Sequence, residues 1–209
     1  MALLQLNVPS TWVICGPSLS GKTEFIYKVI KHSSCMFNAP FDKIYYFYGV
    51  WQKGFENIEE NVDFMEGLPT QEFIDNTSSN QPILVVIDDQ QQIALNSELI
   101  ANLFTKYSHH KNITVLLVLQ NLFHQGKFAR DISLNTHYFV LFKNQRDINQ
   151  VKILGNQLGL SNHLFKSYIE ATKSPFSYLL IDLAPGSNNE FMLRSNIFPN
   201  EDPTIYINT

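Results

Sequence analysis

Short apolar runs alternate along this chain with longer amphipathic stretches. Trp12-Val13-Ile14-Cys15, Ile83-Leu84-Val85-Val86-Ile87 and Ile113-Thr114-Val115-Leu116-Leu117-Val118-Leu119 are nearly continuous in apolar residues and rich in β-branched ones. Runs of that length and composition are strands of a parallel sheet, buried on both faces. Lys43–Tyr48 and Thr136–Phe142 add aromatic, β-forming runs. A short strand is also expected at 62–65. Between the runs the period changes to that of a helix. Apolar residues fall at 25, 26, 29 and 30, then at 95, 99, 100, 103 and 104, then at 151, 153, 154 and 158. These predict helices to about Ser33, over 95–107 and over 148–158. Thr70 is placed to cap a short helix with Phe73 and Ile74 facing inward, and Ser161 to cap one running to about Thr172. Residues 49–61 read as a loop with a short helix, and 121–135 as a mixed segment. Pro175 is expected to start a strand over 176–182, with 191–197 pairing back on it as a hairpin after the Pro185-Gly186 turn. The tail 198–209 reads as loosely held. Strands alternating with helices give an α/β fold, a mostly parallel sheet flanked by helices.

The segment after the first strand is Gly16-Pro17-Ser18-Leu19-Ser20-Gly21-Lys22-Thr23. It fits the phosphate-binding loop of nucleoside triphosphatases, in the strand–loop–helix setting that the motif requires. Gly16 and Gly21 allow the backbone to curl with its N–H groups pointing at phosphate, and the following helix adds its positive end. Lys22 is placed to reach the β- and γ-phosphates of ATP, and Thr23 to ligate Mg²⁺.

The strand 83–87 runs into Asp88-Asp89. In a phosphate-loop enzyme an acid at that place holds Mg²⁺, here Asp88, and its neighbour Asp89 stands where it can polarise an attacking water. The strand 113–119 ends in Gln120-Asn121, and Gln120 is a candidate sensor of the γ-phosphate. Arg130 and Arg146 are candidates for an arginine finger acting on a neighbouring subunit's nucleotide, against surface ion pairs with Asp131 and Asp147 as the plainer reading. Lys106, His109, His110 and Lys111 follow a predicted helix, where cations suit its dipole; a basic patch facing nucleic acid is the sharper, less favoured reading.

Length and composition narrow the picture. The chain has 209 residues, 44% of them hydrophobic, which suits a single domain with a core over about 11–183 and an extension over about 184–209. A net charge of −4 and an isoelectric point near 5.8 make a monomer a poor non-specific nucleic-acid binder. Any such contact needs a local basic ring built by oligomerisation. Cys15 and Cys35 have no metal or redox spacing and read as free thiols in a reducing compartment. No leader segment and no apolar stretch of about 20 residues is seen, so no membrane partner is expected.

Taken in order, G-P-S-L-S-G-K-T, I-L-V-V-I-D-D, L-L-V-L-Q-N and H-Y-F-V-L-F-K-N-Q-R-D resemble the DNA-packaging ATPases of double-stranded DNA viruses and virus-like transposons, in the HerA/FtsK group. The resemblance covers about residues 11 to 183. It implies a RecA-like sheet with principal strands ordered 5-1-4-3-2, and ATP and Mg²⁺ bound by Lys22, Thr23 and Asp88. It also implies catalysis by Asp89 with Gln120 as sensor. Beyond the chain it implies a homo-oligomeric ring, pentamer or hexamer, around duplex DNA at a capsid vertex. The setting would be an infected cell, in nucleus or cytoplasm, or the virion. A small nucleotide or nucleoside kinase is the competing expectation, but it needs an arginine-rich lid, and the 15 lysines and arginines are spread out. A guanine-reading N-K-x-D sequence is absent: Phe142-Lys143-Asn144-Gln145 has the wrong order. Intact Lys22, Thr23 and Asp88 speak against a non-catalytic scaffold.

Overall fold

The computed structural model describes residues 5–58, 61–77 and 80–207. β1 (Thr11–Cys15) leads through the glycine loop into α1 (Lys22–Lys31), and a short α2 (Ser33–Met36) follows. β2 (Lys43–Tyr48), a 3₁₀ turn (Lys53–Asn57) and β3 (Val62–Glu66) come next, then α3 (Gln71–Asn76), with Thr70 Oγ1 accepting from the Phe73 N–H as its cap. After β4 (Ile83–Asp88) come α4 (Gln91–Ala94), α5 (Glu98–Asn102), a π turn (Leu103–Tyr107) and α6 (Ser108–His110). β5 (Ile113–Leu119), α7 (Ala129–Leu134), β6 (Tyr138–Phe142), α8 (Asn149–Gln157) and α9 (Ser161–Ala171) follow. The chain closes with β7 (Tyr178–Asp182), β8 (Leu193–Ser195) and β9 (Thr204–Ile205).

All nine strands form one sheet in the order β3-β2-β4-β5-β1-β6-β7-β8-β9. The first six places in that order are parallel, and β7, β8 and β9 are antiparallel. With β3 set aside as an edge addition, the principal strands run 5-1-4-3-2, so β5 separates the loop strand β1 from the two-acid strand β4. The period-2 alternation of each strand divides its side chains between two cores. Val13, Val85, Ile87, Leu117 and Leu141 face a layer with Ile100, Ile132, Val151 and Leu164 of the later helices. Trp12, Ile14, Leu84, Val86 and Val140 face Phe25, Ile26, Val29 and Ile30 of α1. Burial on both faces is why the central strands read as unbroken apolar runs.

Four expectations change. The helix over 95–107 is interrupted: Leu95 ends one turn and Ser97 caps the next through the Ile100 N–H. Ser161 does not cap α9; it is the first helical residue, and its hydroxyl donates to Asn156 Oδ1 instead. The strand expected from Pro175 starts at Tyr178, because Phe176 has a φ of 63° and cannot extend. The tail is not loose up to residue 207. Phe198 is buried, Tyr206 and Ser195 share a hydroxyl hydrogen bond, and β9 pairs with β8. The expected hairpin partners do pair, Leu180 with Arg194 and Ile181 with Leu193, but as extensions of the main sheet.

Candidate active site

Parallel strands bring their carboxyl ends to one edge. There β1 ends at Cys15, β4 at Asp88, β5 at Leu119 and β6 at Phe142. The glycine loop lies across this edge, anchored where the Gly16 N–H donates to the Leu119 carbonyl at 3.1 Å. Gly16 has no room for a side chain: a Cβ would stand 2.6 Å from Phe142 Cβ. Gly21 takes a φ of 104° as the cap residue of α1, a conformation that glycine adopts without cost. Leu19 holds a φ of 63° with its side chain 96% exposed. The Ser20 hydroxyl is buried inside the loop with no partner among the described residues. Lys22 folds back, its ammonium donating to the Gly16 and Pro17 carbonyls at 2.6 and 2.8 Å. Burial pulls its pKa down, opposed by the charge of Asp88.

The loop opens on a cleft of about 590 Å³. Ser18, Leu19, Lys22 and Thr23 line it from the loop, Asp88 and Asp89 from the end of β4, and Gln120 from the end of β5. Asp88 is only 5% exposed. Burial pushes its carboxyl above the usual range, and the Tyr46 hydroxyl, donating to Oδ2 at 2.7 Å, opposes this. Tyr46 is itself fully buried; burial and then the charge of Asp88 hold its phenol far above the ordinary value, so it stays a donor. Asp89 is exposed and turns the chain with a φ of 57°. Gln91, the first residue of α4, accepts the Gln120 and Asn121 N–H groups on Oε1 at 2.5 and 3.2 Å, tying the end of β5 to the segment after Asp89.

The cleft therefore gathers Lys22, Thr23, Asp88, Asp89 and Gln120. Arg130 and Arg146 do not line it. Arg146 lies in the loop after β6, its N–H bonded to Asn144 Oδ1, and Arg130 lies on the first turn of α7. Both are exposed, and neither makes the ion pair with its neighbouring aspartate among the described residues. Lys111 has a local task, donating to the Asp75 and Thr77 carbonyls at the end of α3. Cys15 and Cys35 are free thiols; burial pushes Cys15 up to about 12. No helix among the described residues is long and apolar enough to cross a membrane.

Sequence reasoning missed Tyr46, Gln91, Gln52 and His124, the last two of which also line the cleft. Tyr46 carried no distinguishing signal inside the aromatic run of β2. The Gln90-Gln91-Gln92 run directly after the two acids was the available hint for Gln91.

The residues fit a magnesium nucleotide. Mg²⁺ keeps most of its waters and takes one or two protein oxygens beside phosphate. Thr23 and Asp88 supply that set, and the loop supplies backbone donors and a lysine for the phosphates.

No family model and no curated protein matches the sequence. Solved structures do resemble this one. B204, the DNA-packaging ATPase of Sulfolobus turreted icosahedral virus, is 12% identical with a TM-score of 0.57, over 91% of this chain and 98% of that one. The genome-packaging NTPase B204 of Sulfolobus turreted icosahedral virus 2, in complex with ATP-gammaS, is 10% identical with a TM-score of 0.54, over 95% and 97%. The cytoplasmic domain of the type VII secretion ATPase EccC of Thermomonospora curvata is 13% identical with a TM-score of 0.53, over 94% of this chain and 25% of that one. At these identities the likeness is one of architecture: this chain has the mostly parallel α/β fold that these ATPases share.

Proposed function

We propose that this protein is an ATP-hydrolysing motor that packages double-stranded viral DNA as a homo-oligomeric ring, acting in an infected cell at a capsid vertex. The observation that carries the reading is the single cleft in which Lys22 and Thr23 of the loop meet Asp88 and Asp89 of β4 and Gln120 of β5. The extent of the likeness supports the finer part, because the alignment with B204 spans 91–95% of this chain and 97–98% of that one.

In this reading the loop N–H groups and Lys22 hold the triphosphate. Bound at Thr23 and Asp88, Mg²⁺ would neutralise charge on the phosphate oxygens. Tyr46 fixes the direction of Asp88. Asp89 takes a proton from the attacking water, and Gln120, held in place through Gln91, orients it. Arg130 and Arg146, exposed and in no ion pair among the described residues, remain available to a neighbouring subunit's nucleotide. The acidic net charge requires DNA contacts to be local to the ring's inner surface. The kinase reading is weaker, since no arginine lines the cleft among the described residues.

The test is ATP hydrolysis with and without duplex DNA, with native mass recorded alongside. A ring-sized mass and stimulation by DNA are expected. A monomer that transfers phosphate to a small acceptor would overturn the motor in favour of a kinase. Arg130→Ala or Arg146→Ala, titrated into wild type, should depress activity more than in proportion if that residue acts in trans; a linear response for both removes them as fingers.

A further inference from the structure

Among the described residues, six that are not glycine hold a positive φ: Leu19, Asp89, Asn112, Phe176, Asn196 and Asn200. Asparagine and aspartate tolerate that conformation; leucine and phenylalanine adopt it at a cost. Leu19 is in the phosphate loop. Phe176 is the second, and strain of this kind gathers at ligand sites.

Its location is specific. Phe176 lies in the turn between α9 and β7, closed where the Ser177 hydroxyl and N–H both donate to the Ser174 carbonyl. Its ring is 70% exposed although its Cβ and Cδ1 stand 3.2 and 3.3 Å from where a side chain on Gly21 would begin. It thus flanks the last glycine of the phosphate loop, at the start of α1. The sheet order places it further. The cleft with Asp88 and Gln120 opens on the β5 and β4 side of β1, whereas β6 and β7, with Phe176, lie on the other side. A triphosphate lying along the loop with its terminal phosphate in the cleft carries its ribose and base away from β4, toward this ring.

We infer that Phe176 is the stacking platform for the base of the bound nucleotide, an inference that rests on the nucleotide reading of the loop. The turn holds the side chain out of the core, largely exposed, at the cost of a strained φ. An aromatic face recognises a base by area and not by a hydrogen-bond pattern. The site accordingly takes adenine and guanine nucleotides alike and holds pyrimidine nucleotides less well.

The test compares Mg²⁺-ADP with inorganic tripolyphosphate by calorimetry, on wild type, Phe176→Gly and Phe176→Trp. Glycine accepts the positive φ, so the variant removes the ring without straining the fold. Phe176→Gly should weaken ADP by about tenfold, the scale of one lost base–aromatic stack, and leave tripolyphosphate unchanged; Phe176→Trp should retain ADP affinity. Unchanged ADP affinity, or an equal loss for tripolyphosphate, overturns the assignment. So does a fall in native mass with ADP affinity intact, which would make the ring a subunit contact. A wild-type protein that binds neither probe overturns the phosphate-loop reading and this inference with it.

Discussion

The two edges of the parallel sheet are built from the same strands and solve opposite problems. At the amino edge polar groups close on one another. The Thr11 hydroxyl donates to the Asn135 carbonyl and accepts from the His137 N–H, and His137 Nδ1 accepts from the Thr11 N–H. Ser10 Oγ accepts from Trp12 Nε1, Thr114 Oγ1 from the Ser10 N–H, and the Tyr138 hydroxyl from the Asn7 N–H. At the carboxyl edge the Ser20 hydroxyl has no partner among the described residues, Lys22 donates to its own loop, and Leu19, Asp89 and Phe176 sit at positive φ. The difference is that one edge satisfies its polar groups locally, while the other keeps strained backbone and a buried hydroxyl beside an open cleft. Unsatisfied donors and strained backbone are tolerable only where the rest of the sheet over-determines the chain.

That contrast can be broken from either side. The largest effect is expected at the amino edge. Trp12 is fully buried and stacks on Tyr138 with centroids 4.4 Å apart. Trp12→Ala should cost about 3–5 kcal/mol of stability in urea unfolding, and the folded fraction should still bind nucleotide. Next comes Lys22→Ala. Hydrolysis should fall by roughly 100- to 1,000-fold, the loss expected for one pre-organised charge, with the circular dichroism spectrum of wild type. Unchanged turnover would remove the enzyme reading. Third, Tyr46→Phe keeps the ring but takes the donor from Asp88. A magnesium titration of nucleotide binding should need about ten times more metal, the scale of other losses behind a metal ligand. An unaltered titration would reduce the Tyr46–Asp88 bond to a structural contact. The smallest effect has the opposite sign. Leu19→Gly relieves a strained, exposed position and should raise stability by about 0.5 kcal/mol, the left-handed penalty less the added chain entropy of glycine. A loss of stability would mean that Leu19 is not strained in the way its φ implies.

Much of this was legible in the chain. The apolar runs of β1, β4 and β5 are so nearly continuous that only strands buried on both faces account for them. The glycine loop was legible because its pattern lies in consecutive residues between a strand and a helix. Asp88 and Gln120 were legible by position, as the first polar residues past buried strands. The interruption at Leu95–Ser97 was not, since the apolar spacing continues through it while the backbone does not; Ser97 wins as a cap because it satisfies an N–H that a continuous helix would have bonded elsewhere. The tail was misread because its anchors, Phe198 and Tyr206, stand in short segments broken by Pro199 and Pro203 that carry no strand or helix period, and the burial of Phe198 depends on residues far along the chain such as Phe25.

By itself, then, the sequence determined the buried strands β1, β4 and β5, the glycine loop that follows β1 and the acids that end β4, because each rests on contacts within a few residues or on a period of two or 3.6. Tertiary structure alone decided that β7 enters antiparallel beside β6, that Tyr46 of β2 steers Asp88 of β4, that Gln91 ties down Gln120, and that Phe176 stands beside Gly21. Each of these joins groups far apart in the chain. Their meeting is set by strand order and register, which the summed packing of both faces of the sheet determines and no local pattern encodes.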